Sequence, residues 1–217
     1  MRYLSALLLL PGLAYAGTVF DGYDAYYATL PGRMFTGAGT ALQPYSVVGD
    51  DSVRYGWQGT TPSGKHKVEI RRGILSIDGQ AIRSKSITVF PNETVDAGDL
   101  GNGTMAYFSP GWACVENTPA SASGTAVRHK AVYLVWLTRP KVQAWKLPSL
   151  FAACADVRQL DGQVRFDQVE YRYKDGQDDP AGVVFNEFIL LAGQFASTGH
   201  KREASFVEQD NVYKITF

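Results

Sequence analysis

Seven consecutive apolar residues, Ala131-Val-Tyr-Leu-Val-Trp-Leu137, mark where this chain makes its core. Before them, β-like stretches at 46–48, 53–57, 67–71, 74–77 and 81–90 alternate with turn residues: Gly49-Asp50, Thr61-Pro62-Ser63-Gly64, Arg72-Gly73 and Asp78-Gly79. Asp78-Gly79 between apolar runs is the strongest hairpin signal in the chain, because both turn positions need positive φ. Short strands at this spacing predict a sandwich or barrel rather than βαβ units. After the core run come a strand at 142–146 and a helix over 149–160. The helix is predicted from Leu150, Phe151, Cys154, Val157 and Leu160 falling on one face, with Pro148 before it and Asp161-Gly162 to end it.

The strand expected at 163–173 changes phase. Its apolar residues sit at Val164 and Phe166, then at Val169, Tyr171 and Tyr173. A slip of one residue turns a strand inside out unless a bulge absorbs it, so the pattern predicts a β-bulge at Asp167-Gln168. Further strands follow over 183–191, 204–208 and 212–217. Residues 91–128, rich in Gly, Pro and Ser, read as an irregular segment containing one short strand at 104–108. The fold class is mainly β, a single antiparallel β-sandwich or open barrel with one short helix. One domain spans 17–217.

Residues 1–16 have the pattern of an export signal: a charge at Arg2, a short apolar stretch at 4–10, Pro11-Gly12, and small residues at Ala14 and Ala16. Cleavage would fall between Ala16 and Gly17. A membrane span needs about 20 apolar residues, and this stretch is roughly half that. The protein is therefore expected in the periplasm or outside the cell. The chain's two cysteines, Cys114 and Cys154, then read as a disulfide. With 21 basic and 21 acidic residues in the whole chain, losing Arg2 leaves a net charge of −1. That balance speaks against a nucleic-acid partner, and no polybasic tract offers a handle for an anionic membrane. The small basic cluster at 65–72, interrupted by Val68, Glu69 and Ile70, reads as the solvated face of a strand.

Candidate chemistry is sparse. Gly59-Thr-Thr-Pro-Ser-Gly64-Lys65 fits a phosphate-loop spacing, but His66 stands where Ser or Thr should follow and a strand replaces the helix, so it reads as a turn. His66, His129 and His200 stand apart, without zinc-site spacing, and read as exposed strand-end residues. No Gly-x-Ser-x-Gly elbow surrounds Ser109. No metal or cofactor motif is present. Asp96 and Asp99, or a set drawn from Asp178, Asp179 and Glu187, are the carboxylates that could serve a glycosidase. Tyr23, Tyr26 and Tyr27 could form an aromatic binding surface, or else pack inward. Asn92 and Asn102 lie in glycosylation sequons, which matter only in a eukaryotic exporter. These features, with 12% aromatic content, lead to the expectation of a non-catalytic binding or inhibitor-like protein that recognises a protein or a glycan. The alternative is a secreted glycan hydrolase working with an Asp/Glu pair.

Overall fold

A computed structural model describes residues 17–61, 64–118, 123–137 and 142–217. The export signal expected at 1–16 lies outside them. The first half of the chain runs β1 (Val19–Asp21), the helix α1 (Tyr23–Tyr27), β2 (Thr40–Ala41), β3 (Gln43–Val47), β4 (Asp50–Thr61), β5 (Gly64–Arg71), β6 (Ile74–Ile77), β7 (Gln80–Ile82) and β8 (Ile87–Val89). The second half runs β9 (Met105–Ser109), β10 (Trp112–Asn117), β11 (Ala131–Trp136), β12 (Gln143–Lys146), β13 (Arg158–Leu160), β14 (Gln163–Tyr173), β15 (Pro180–Leu191), β16 (Gln194–Glu208) and β17 (Asn211–Thr216). They form three curled, mainly antiparallel sheets in a half-barrel, sandwich-like arrangement. A meander sheet has the order β3-β4-β5-β6-β7. A central sheet has the order β2-β9-β10-β11-β12-β8, and a long-stranded sheet the order β1-β17-β16-β15-β14-β13. No helix among the described residues is long and apolar enough to cross a membrane.

The seven-residue apolar run becomes β11, and its position explains its lack of alternation. Ala131, Tyr133 and Val135 pack with Ala113 and Val115 of β10 and with Val68, Ile70, Leu75 and Ile77 of the meander. The intervening Val132 and Leu134 pack with Cys114, Trp145, Val164 and Phe166 on the other side. A strand covered on both faces has no solvent side on which polar residues would be favoured. The third core lies inside the curl of the long-stranded sheet, where Val169, Val183, Phe185 and Ile215 close around α1.

The Asp78-Gly79 hairpin forms as expected: both residues have positive φ (51° and 79°), and Ile77 pairs with Gln80 across it. Asp161-Gly162 has the same conformation (52° and 76°) and joins β13 to β14. It is therefore a hairpin turn, not a helix stop, and the helix expected at 149–160 is absent. That segment holds only a 3-10 turn at Cys154–Asp156, followed by β13. Its backbone is committed elsewhere: Met34 N donates to Val157 O at 2.9 Å, and Gln159 N to Gly32 O at 2.7 Å. The apolar spacing that imitates a helix reflects residues reaching separate cores, Phe151 into one and Cys154 and Val157 into another. Among the described residues the single α-helix is α1.

The phase change in β14 also has a different cause from the one expected. Its pairing with β15 stays in register from Arg165 to Arg172, so there is no bulge at Asp167-Gln168 on that ladder. Instead the covered face changes along the strand. Val164 and Phe166 point to the central sheet, whereas Val169 and Tyr171 point into the curl around α1. The irregularity lies one strand over, where β16 sets Thr198, Gly199 and His200 against Glu187.

Residues 91–128 are more ordered than their composition suggests, because both β9 and β10 fall within them. Polar Glu116 disguises β10: its Oε2 accepts from Cys154 N at 2.6 Å and its Oε1 from the Tyr107 hydroxyl at 3.1 Å. The Cys114–Cys154 disulfide is formed, with Cα atoms 5.8 Å apart and a sequence separation of 40. It ties the central sheet to the turn that leads into the long-stranded sheet. Replacing both cysteines by serine is expected to lower unfolding free energy by about 4 kcal/mol through restored chain entropy. Urea denaturation of the wild type and the double variant measures this directly.

Candidate binding cleft

The structure separates Asp178 and Asp179 from Glu187. Asp178 and Asp179 are exposed on the turn before β15, whereas Glu187 is buried in the middle of that strand. Eight strand residues from Asp179 to Glu187 span roughly 26 Å, beyond the roughly 5–10 Å that a glycosidase pair requires. The three tyrosines do not form a surface either. They occupy α1 with exposures of 5, 5 and 0% for Tyr23, Tyr26 and Tyr27, and Tyr23 stacks on Phe151 at 4.0 Å. Burial pushes all three phenols above their ordinary pKa. Gly59 to Lys65 lies on the β4–β5 hairpin, strand on both sides, with Pro62 and Ser63 outside the described residues. His66 departs from expectation by being buried, its Nδ1 2.8 Å from Asp78 Oδ2 and its ring stacked on Phe108. His129 Nδ1 lies 2.9 Å from Ser149 Oγ, and His200 is exposed. Among the described residues no group of three or more His, Cys, Asp or Glu could hold a metal ion. Asn92 and Asn102 are exposed.

Two buried ionic clusters organise the interior. Asp99 Oδ2 accepts from Lys146 Nζ at 2.7 Å, from Asp96 N at 3.0 Å and from the Tyr133 hydroxyl. Lys146 also donates to Thr94 O. In the second cluster Arg158 bridges Asp167 at 2.9 Å and Glu187 at 3.4 Å, while Arg165 donates to Glu187 at 3.0 Å and Arg202 to Asp167. Asp156 lies beneath them, its Oδ2 accepting from Asp167 N at 2.6 Å. Burial first, then the neighbouring Asp167 charge, hold the Asp156 carboxyl well above the usual carboxylate range despite Arg158. Neither Asp99 and Lys146 nor this second cluster lines a described cleft. Their chemistry holds the sheets together.

A concavity of about 380 Å³ runs along the outer edge of β9. Among the described residues no Asp, Glu, Lys, Arg or His lines it. Trp57 and Phe108 form one wall, ring centroids 5.3 Å apart, and Tyr107 belongs to the other. Two glycines make room for these rings: a Cβ on Gly59 would come within 2.3 Å of Trp57, and one on Gly39 within 2.5 Å of Tyr107. Hydroxyls of Thr36, Thr40, Thr60 and Ser109 rim the cleft and are engaged by no other described residue. The Tyr107 phenol is raised by burial and by Glu116, so it stays neutral.

The strand edge itself supplies further polar groups. Leu42 N donates to Thr104 O, and the β2–β9 pairing then runs to Thr40 opposite Ala106. Every second residue of an antiparallel strand turns its N–H and C=O to the same side, so Ala106 and Phe108 both face outward. β2 begins at Thr40, and the Gly37–Gly39 stretch leaves the ladder before reaching Phe108. The Phe108 N–H and C=O therefore open onto the cleft with no backbone partner among the described residues. Sequence reading missed Trp57 and Phe108. The available signal was a tryptophan on an otherwise polar strand between two glycines, Gly56-Trp57-Gln58-Gly59.

No protein-family model, curated protein or solved structure matches this chain.

Two substitutions test the interior clusters. Lys146→Met leaves the Asp99 carboxylate buried without its cation and is expected to destabilise the fold by about 3–5 kcal/mol; adding Asp99→Asn should restore part of that loss in urea melts. Burial favours the protonated form of Asp156 in the folded state. Its contribution is complete below the unfolded value of 3.8 and is lost as pH rises through the raised folded value. Asp156→Asn, which keeps the acceptor for Asp167 N, should flatten that fall in stability as pH rises above 3.8. Equal slopes in the two proteins would refute it.

Proposed function

We propose that this chain is a non-catalytic binding protein, acting outside the cytoplasm, that recognises an uncharged glycan in the cleft along β9. The observation that carries this reading is the cleft's composition: aromatic walls, a rim of hydroxyls, an outward-facing backbone donor and acceptor, and no charge. A sugar ring has apolar C–H faces and a girdle of hydroxyls. Aromatic rings accept the former, while neutral hydroxyls and backbone groups satisfy the latter without desolvating a charge. The volume falls within the range of small-molecule sites. The Cys114–Cys154 bond and the leader-like residues 1–16 support the location, since disulfides persist in oxidising compartments.

The test is binding of the mature protein to a panel of uncharged oligosaccharides by calorimetry, alongside intrinsic tryptophan fluorescence. Trp57→Ala is expected to weaken binding at least about tenfold, the loss of one aromatic contact, in a protein that circular dichroism shows to be folded. A panel without any binder, or an unaffected Trp57→Ala variant, would overturn the proposal. Shortening of the probe during incubation would assign a hydrolase instead.

A further inference from the structure

Three of the chain's four tryptophans converge on one end of the central sheet. Strand register places them. On the face that β10, β11 and β12 turn toward the long-stranded sheet, one row reads Cys114, Leu134, Trp145. This row is covered, with exposures of 0, 0 and 3%. The next row reads Ser109, Trp112, Trp136, Gln143, each opposite its neighbour. Here the cover ends: Trp136 is 38% exposed and Gln143 is exposed. The indoles of Trp112 and Trp136 stack at 6.0 Å over a shallow groove of about 170 Å³, and none of the described residues lining it is charged. Trp145 Nε1–H donates to Gly193 O at 2.8 Å, whereas the Trp112 and Trp136 N–H groups have no acceptor among the described residues.

Ser109 belongs to both features, lining the β9 cleft and heading this row. Adjacent strands lie about 4.8 Å apart, so the row extends roughly 14 Å beyond the cleft, across the strands. Resting on the glycan reading above, we infer that the ligand is an extended, uncharged oligosaccharide. The cleft holds one end of it, and the Trp112–Trp136–Gln143 row is a second subsite. Continuity through Ser109 and two indole N–H donors beside an amide match a chain of neutral sugars. A terminal monosaccharide would leave this row without a role.

Calorimetry with β-linked glucose and N-acetylglucosamine oligomers of one to six units, using the full mature chain, separates the possibilities. Affinity is expected to rise at least tenfold from the shortest binding oligomer to the hexamer. Trp136→Ala and the fully surface-borne Gln143→Ala should each remove part of that rise and leave the affinity for the shortest oligomer unchanged, whereas Trp57→Ala weakens both. Length-independent affinity, or a rise untouched by both row variants, overturns the inference while the cleft reading stands. Absence of binding at every length overturns both. Thermal melts of Gln143→Ala confirm that a loss is not misfolding.

Discussion

The burial of the β10–β11–β12 sheet on both faces sets the terms for the rest of the structure. A strand enclosed on both sides can admit polar atoms only where partners meet them, because an unpaired buried donor or charge is strongly unfavourable. Two layers must therefore be held against it, the meander on one side and the long-stranded sheet on the other. The Cys114–Cys154 bond fixes the second of these contacts from inside the core. Where a covering layer stops short, the inward-facing row continues into solvent as an aromatic surface.

The charged groups inside the protein follow from the same constraint. Lys146 lies on β12 with its neighbours Ala144 and Trp145 in the core, so its ammonium needs Asp99, Thr94 and nothing looser. Arg158, Arg165 and Arg202 reach Asp167 and Glu187 where β14 and β15 transfer their covered face from the central sheet to the curl around α1. At that transfer neither core supplies apolar cover, and a network of hydrogen-bonded ions fills the place. Removing one partner from a buried ion network is strongly destabilising because it leaves an uncompensated charge. They are engaged with each other rather than with a cavity, whereas the described residues lining the cleft along β9 are neutral.

That cleft is a by-product of a short partner strand. β2 is two residues long, so β9 is left with one outward-facing residue, Phe108, whose backbone is unpaired. An exposed strand edge ordinarily invites pairing with another chain. Here Thr36, Gly37 and Ala38 wall it off, and Trp57 and Tyr107 narrow it into a pocket.

Local pattern alone determined much of the fold. Strand-rich class, the Asp78-Gly79 hairpin, the cysteine pairing and the core role of 131–137 were legible because each depends on residues near in sequence or on a count of two. The helix at 149–160 and the bulge in β14 were misread for a shared reason. Periodicity reports which residues are apolar, not which core receives them, and in both segments consecutive apolar residues go to different cores. Glu116 hid β10 because its partners, Cys154 N and the Tyr107 hydroxyl, are brought to it only by the disulfide and by β9. The candidate site was invisible for the same cause. Trp57, Thr36 and the pair Phe108-Ser109 come from three separate stretches, and none has a motif. Only the tertiary structure decided that these residues share a neutral cleft, because a site built from strand edges and ring faces is made by distances between sheets, which no spacing along the chain records.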